Sequence, residues 1–244
     1  MKTIDLNADV GEGYDDLPLL PFLSSVNIAC GGHAGSIPVM TTLAKACGDL
    51  GIRIGAHPGY EDPENFGRKP LSIPDAELRR SMHSQVSRLM DVLGTLGLQL
   101  MYVKPHGALY NQACANPAIA RVLAESVKSI NPSLALMCPE SSSLATAARS
   151  YDLKVISEGF IDRAYLRDGS LAPRSLEGSV YEDPEQACAQ ALALAKGEFI
   201  SSLDGGRIKV TAESLCVHGD TPSAWQMAKQ VRNALINAGF LIKA

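Results

Sequence analysis

Apolar residues along the chain fall into two patterns. Short runs at 3–8, 25–29, 53–56, 99–103, 133–137, 153–157 and 214–217 have the length and content of β-strands. Between them, at 37–50, 75–96, 117–130, 142–151, 184–196 and 222–238, apolar positions recur every three or four residues, as on the buried face of a helix. Start signals mark several of these helices: Ser36 before Ile37-Pro38, Pro74-Asp75, Asn116-Pro117 and Asp183-Pro184. Gly48, Gly51, Gly97 and Gly239 punctuate the ends. A further strand pair is expected around Asp204-Gly205-Gly206, whose glycines suit a hairpin turn.

Strands alternating with helices predict an α/β fold with a parallel sheet. Seven such units over 244 residues fit a distorted seven-stranded (β/α) barrel, with a doubly wound open sheet as the alternative. No Pro/Gly/Ser linker, low-complexity stretch or internal repeat divides the chain, so residues 1–244 are expected to form one domain. Two connections, 60–71 and 158–179, are too long and polar for tight turns, and such loops often carry function.

Charge and composition remove some function classes. The formal net charge is −4, which gives no basic footprint for nucleic acid. No apolar run reaches the length of a membrane span. The opening Met-Lys-Thr-Ile-Asp lacks the apolar core of a secretory signal, so a cytoplasmic protein is expected. The six cysteines form no CxxC pair, which fits reduced thiols rather than a disulfide framework or a Cys₄ zinc site. A homo-oligomer is compatible with the sequence.

The chemistry lies where the strands end. Asp5, Asn7 and Asp9 are two apart and share one face of the first strand, while Leu6, Ala8 and Val10 take the other. On an exposed strand that would be a solvated face. The first strand of a parallel sheet is covered on both sides, so a polar face there points into a site. The second strand leads through Asn27 to Cys30-Gly31-Gly32-His33. The third ends at His57-Pro58-Gly59, the fourth at Lys104-Pro105-His106-Gly107, the sixth near Glu158 and the last at His218-Gly219-Asp220. Four of the five histidines stand at strand ends with a glycine within two positions; His83, inside a helical pattern, reads as structural. A tight turn explains proline and glycine but not histidine. In βα barrels the C-terminal strand ends and the loops after them build the site.

On this argument the catalytic candidates are Asp9, His57, Lys104 and His106. The candidates for substrate or phosphate binding are Asn7, Glu12, His33, Arg68, Asp162, Arg163, Arg174 and His218. Phe66-Gly67-Arg68 and Asp162-Arg163 also fit surface ion pairs, and Asp220 also fits a helix cap. Asp9, His33 and His57 are the candidate metal ligands, because imidazole and carboxylate together suit zinc and similar ions. No Walker-type phosphate loop, GxSxG elbow or HExxH pair is present.

Seven motifs occur in order: DLNADVGEGY, NIACGGHAG, IGAHPGY, FGR, VKPHGALYN, DRAYLRDGSLAPR and CVHGD. Together they resemble the LamB/YcsF family over almost the whole chain. The resemblance implies a distorted βα barrel similar to those of glycoside hydrolases and deacetylases. It also implies ATP-dependent opening of 5-oxo-L-proline to L-glutamate, carried out with two partner proteins, 5-oxoprolinase subunits B and C. In that reaction Lys104, Arg68, Arg163 and Arg174 would neutralise phosphate oxygens. Asp9 and Glu12 would hold Mg²⁺, and His57, His106 or Asp9 would act as general base. Two rival readings are a metal-dependent amide hydrolase or deacetylase working without ATP, and a non-catalytic protein that only binds substrate.

Overall fold

In the computed structural model, which describes residues 2–218 and 224–244, the elements follow the predicted alternation. They begin β1 (Lys2–Val10), β2 (Ser25–Ala29), α1 (Ile37–Leu50), β3 (Arg53–His57), α2 (Asp75–Thr95), β4 (Tyr102–Val103), α3 (Gly107–Ala115) and α4 (Pro117–Ile130). They continue β5 (Ala135–Cys138), α5 (Ser143–Ser150), β6 (Lys154–Phe160), α6 (Pro184–Lys196), β7 (Phe199–Ser201), β8 (Arg207–Lys209), β9 (Ser214–Val217), α7 (Ala224–Asn237) and β10 (Phe240–Ile242). Of the helix starts read from sequence, Ser36, Asn116 and Asp183 act as caps, their side chains accepting from backbone N–H groups of α1, α4 and α6, whereas α2 begins at Pro74 without a side-chain cap; Ser142 also caps α5.

Strands β1 to β6 pair in parallel in sequence order, β6 pairs with β9, and β9 returns to β1, which closes a seven-stranded barrel. The antiparallel β7–β8 hairpin lies outside it, around the predicted Asp204-Gly205-Gly206 turn. The outward faces of the strands, among them Leu6, Ala8, Val10, Val26, Ile28 and Leu215, pack with the helices into the main apolar core. Among the described residues no helix is long and apolar enough to cross a membrane. All six cysteines are free.

Helix α3 and strand β10 are not announced by the sequence pattern. Helix α3 buries Ala108, Leu109, Tyr110 and Ala113 and so shows little contrast between faces. Strand β10 is three residues long and is recognised only by its parallel pairing with the start of β1. The fourth strand is shorter than the expected 99–103, because only Tyr102 and Val103 pair with β3. The expected helix start at 222 and the proposed cap Asp220 lie outside the described residues.

The inward face of the barrel is polar at its lower end, and its polar groups largely satisfy one another, with Asn27 Oδ1 left unpartnered. Asp5 accepts from the hydroxyls of Ser24, Ser25 and Ser214, and the Asn7 amide donates to Ser214 Oγ. Asn27 donates to Asn7 at 2.8 Å and to Asp9 at 2.8 Å. This network carries the order of the barrel interior upward to the strand ends.

Beyond β1 the chain turns at Gly11 and is held by Asp16, whose carboxylate accepts from the Gly11 N–H at 2.7 Å. Burial lifts the Asp16 carboxyl to about 6, against the lowering effect of that hydrogen bond. Its folded-state value lies above its ordinary value, so the fold favours the protonated form. The cost of the charge is fully present above about pH 6 and disappears as pH falls through the ordinary carboxylate range. Asp16→Asn retains the acceptor and removes the charge. After discounting for partial solvation, about 1–2 kcal/mol is gained. Thermal melts near neutral pH should therefore show a rise of roughly 3–6 °C, shrinking to little at about pH 4. A gain that is independent of pH would contradict this account.

Candidate active site

At the C-terminal strand ends a cavity of about 710 Å³ opens, lined by Asp9, Glu12, His57, Lys104 and His106 on one side. Arg68, Arg163 and Arg174 also line it, as do Tyr110, Phe160, Tyr165 and His218. Of the four strand-end histidines, His33 alone is missing from the lining.

The charge centre is Lys104. Its Nζ is 2.9 Å from Asp9 Oδ1, 2.7 Å from Glu158 Oε1 and 3.2 Å from Cys216 Sγ. Burial alone would favour loss of the proton. Asp9, Cys216 and Glu158 outweigh it, so the ammonium is held well above the ordinary lysine range. Lys104 is therefore a fixed cation, not a base or an amine nucleophile. Burial likewise works against an ionised Asp9, but His57 and Lys104 dominate and keep it well below the ordinary range. Glu158 accepts from Tyr110 Oη at 2.8 Å. Glu158, expected at the end of the sixth strand, is a site residue that the sequence pattern does not single out.

Three imidazoles and a carboxylate form the neighbouring wall. His33 Nε2 is 2.7 Å from Glu12 Oε1, His106 Nδ1 is 3.1 Å and His57 Nε2 is 3.6 Å from the same oxygen. His57 Nε2 is also 3.4 Å from Asp9 Oδ2. Burial brings His33 down to about 4 and lowers His106, so both rings are neutral at pH 7. His57 responds the other way: burial opposes its charge, but Asp9 and Glu12 raise it. Glu12 stays ionised, because the three imidazoles around it, His106, His33 and His57, outweigh burial. Backbone geometry makes room for this wall. Gly35 has φ of 91°, and a side chain there would run into the Ala29 carbonyl. Gly67, at φ 59°, would place a Cβ 2.8 Å from His33 Cβ.

Among the described residues, Glu12, His33, His57 and His106 are the group whose ligand atoms lie close enough to share a metal ion. Asp9, expected in that set, is engaged with Lys104 and Asn27 instead. The expected pairing of Asp9 with Glu12 around Mg²⁺ does not match this surrounding, since Mg²⁺ prefers an oxygen shell and the neighbours here are nitrogen.

Other predicted residues take supporting positions. Asn7 is fully buried below the cavity and orders Asn27 rather than meeting a ligand. His33 is buried behind Glu12, outside the cavity lining. Asp162 turns to His218, accepting from its backbone N–H at 2.8 Å and lying 2.7 Å from its Nδ1. Arg163 lines the cavity but also donates to the Ala172 and Ser179 carbonyls, which shapes the 158–179 loop. Burial and the nearby Arg174 bring its guanidinium down to about 10, so it remains charged at pH 7. Arg68 stacks over Phe66 at 4.9 Å.

Comparison with known proteins gives a consistent result. A model of the LamB/YcsF family matches residues 4–244. The 5-oxoprolinase A subunit of Neisseria meningitidis is 42% identical over 245 residues, with 100% of both chains covered. That of Thermus thermophilus is 42% identical over 250 residues, with 99% of each chain covered. A crystal structure of the lactam utilization protein from Thermus thermophilus superposes with a TM-score of 0.93 at 40% identity, covering 100% of each chain. A putative cellobiose-phosphate cleavage protein from Enterococcus faecalis shares the fold alone, with a TM-score of 0.56 at 11% identity over 99% of this chain and 96% of that one.

Replacing Lys104 by Met would leave the Asp9 and Glu158 carboxylates buried and facing one another. The expected loss is about 3–5 kcal/mol, read as a lower urea midpoint. Adding Glu158→Gln to Lys104→Met should restore much of it. Wild-type stability in the single variant would show that the ammonium is not the centre of this arrangement.

Proposed function

The chain belongs to the LamB/YcsF family, and from that premise we propose that it is the A-type component of an ATP-dependent 5-oxoprolinase. In this reading it opens 5-oxo-L-proline to L-glutamate with partner subunits B and C. The observation that carries the proposal is the full-length likeness to relatives named as the A subunit of 5-oxoprolinase. The site chemistry is in keeping with it. A substrate that is both a lactam and a carboxylate needs a cationic mouth and a proton-handling floor. Arg68, Arg163 and Arg174 supply the first, and Asp9 with His57 supplies the second.

The lactam ring is an unstrained, resonance-stabilised amide, and closure competes with opening. Coupling to ATP answers both problems: phosphorylation of the amide oxygen activates the ring carbon and drives the reaction forward. Phosphoryl transfer asks a protein chiefly for positioning and charge stabilisation. A cavity of about 710 Å³ exceeds what a five-membered lactam fills, which leaves room for a second reactant beside it. The rim arginines then serve carboxylate or phosphate oxygens through charge-assisted hydrogen bonds. Fixed Lys104 keeps Asp9 ionised next to His57, so that this pair can take a proton from attacking water.

The test is glutamate release from 5-oxoproline by the full set of subunits, with ATP present and withheld. Wild-type protein should turn over only with ATP. Asp9→Asn should lower kcat by about 10²-fold or more. Arg174→Ala should act mainly on the KM for 5-oxoproline. Glutamate release without ATP would favour the metal-dependent hydrolase. Full turnover by Asp9→Asn would remove Asp9 from the reaction.

A further inference from the structure

We infer that His57, His106 and Glu12 form a three-ligand site for a divalent transition-metal ion of the zinc type, with its open position facing the cavity and His33 outside the ligand set. His57 Nδ1 is 2.8 Å from the Lys104 carbonyl oxygen, and His106 Nε2 is 2.8 Å from the Phe66 carbonyl oxygen. A carbonyl only accepts, so each ring carries its N–H on the outward nitrogen. Without a further proton on either ring, the lone pairs of His57 Nε2 and His106 Nδ1 face each other at 3.0 Å. Glu12 Oε1 lies 3.6 Å from the first and 3.1 Å from the second.

Three electron-pair donors converge with a cation required between them. One proton bridges one pair and leaves the third donor facing a lone pair, whereas a metal ion satisfies all three. The spacing agrees. A tetrahedral zinc ion with bonds of about 2.0–2.1 Å sets its ligands roughly 3.3 Å apart, and the three separations here bracket that value. Outward N–H groups held by backbone carbonyls are also what fixes ligand histidines at metal sites. The nitrogen-rich set selects a transition ion over Mg²⁺ or Ca²⁺.

His33 is excluded by geometry. Its ring stacks on His106 with centroids 3.6 Å apart and planes 4° from parallel. Lone pairs lie in ring planes, so two parallel rings cannot both aim at one ion; it would lie well out of at least one plane. His33 instead donates to Glu12 Oε1 at 2.7 Å and orients the carboxylate. The cavity lining points the same way, because Glu12, His57 and His106 belong to it and His33 does not. Two histidines, one carboxylate and an open fourth position make the arrangement of catalytic rather than structural zinc. An ion held there would present a Lewis acid to the cavity. His57 would then be a ligand, and Asp9 would handle protons alone.

The test uses the full chain alone, stripped with chelator, without lactam or nucleotide, so its outcome is independent of the 5-oxoproline reading. Titration with Zn²⁺, followed by calorimetry, and with Co²⁺, followed by visible absorption, should each end at one equivalent per chain. The Co²⁺ protein should show the ligand-field bands of a low-coordinate site. His57→Ala and His106→Ala, checked for folding by circular dichroism, should abolish uptake. His33→Gln should weaken it by about 10–100-fold while retaining one equivalent and a similar Co²⁺ spectrum. No stoichiometric uptake by the wild-type chain would overturn the site, as would unchanged uptake in folded His57→Ala. Loss of uptake in His33→Gln as complete as in His57→Ala would overturn the three-ligand assignment.

Discussion

The ammonium of Lys104 ties the first and sixth strands together from the end of the fourth. A buried cation of this kind is stable only with the Asp9 and Glu158 carboxylates around it, and their burial is tolerated only while the cation is present. The three charges are mutually obligatory. They also limit the alternatives: Asp9 is held by Lys104 and Asn27, and the histidine wall beside it is satisfied chiefly through Glu12 and the backbone.

That division explains how one end of the barrel can be both stable and chemically able. Below, Asp5, Asn7, Ser25 and Ser214 consume one another's hydrogen-bonding capacity. Above, groups with capacity to spare meet the cavity. The 60–71 connection joins the two levels. Phe66 accepts from His106 through its carbonyl, and the Gly67 carbonyl accepts from the Ala108 N–H at the start of α3. The loop therefore sets both the orientation of a site imidazole and the position of the helix that follows it.

Much of this is legible in the sequence, because the period of a strand and the glycine punctuation of a barrel are local signals. The alternation of short apolar runs with amphipathic segments predicts the barrel, and histidine beside glycine at strand ends predicts the cavity wall. What sequence cannot supply is height along a strand. Asp5, Asn7 and Asp9 carry the same periodic signal, yet only Asp9 is high enough to reach the cavity. Nor does it supply partners distant in the chain. The pairings of Asp162 with His218, of Lys104 with Glu158 and of His33 with Glu12 all arise from how the strands are arranged around the barrel. Glu158 belongs to the charge centre through a contact that no linear spacing announces.

Barrel closure has a kinetic side. Strand β1 is flanked by β9 over Asp5–Ala8 and by β10 over Lys2–Ile4, both drawn from the far end of the chain. During synthesis from the N-terminus, the strand that bears Asp9 is made early, yet it gains these partners only after more than 200 further residues have emerged. Contacts this distant in sequence delay folding. The polar inner face of β1 is thus exposed on the nascent chain for most of translation, a stretch that Asp5, Asn7 and Asp9 keep soluble and that an apolar equivalent would offer to aggregation.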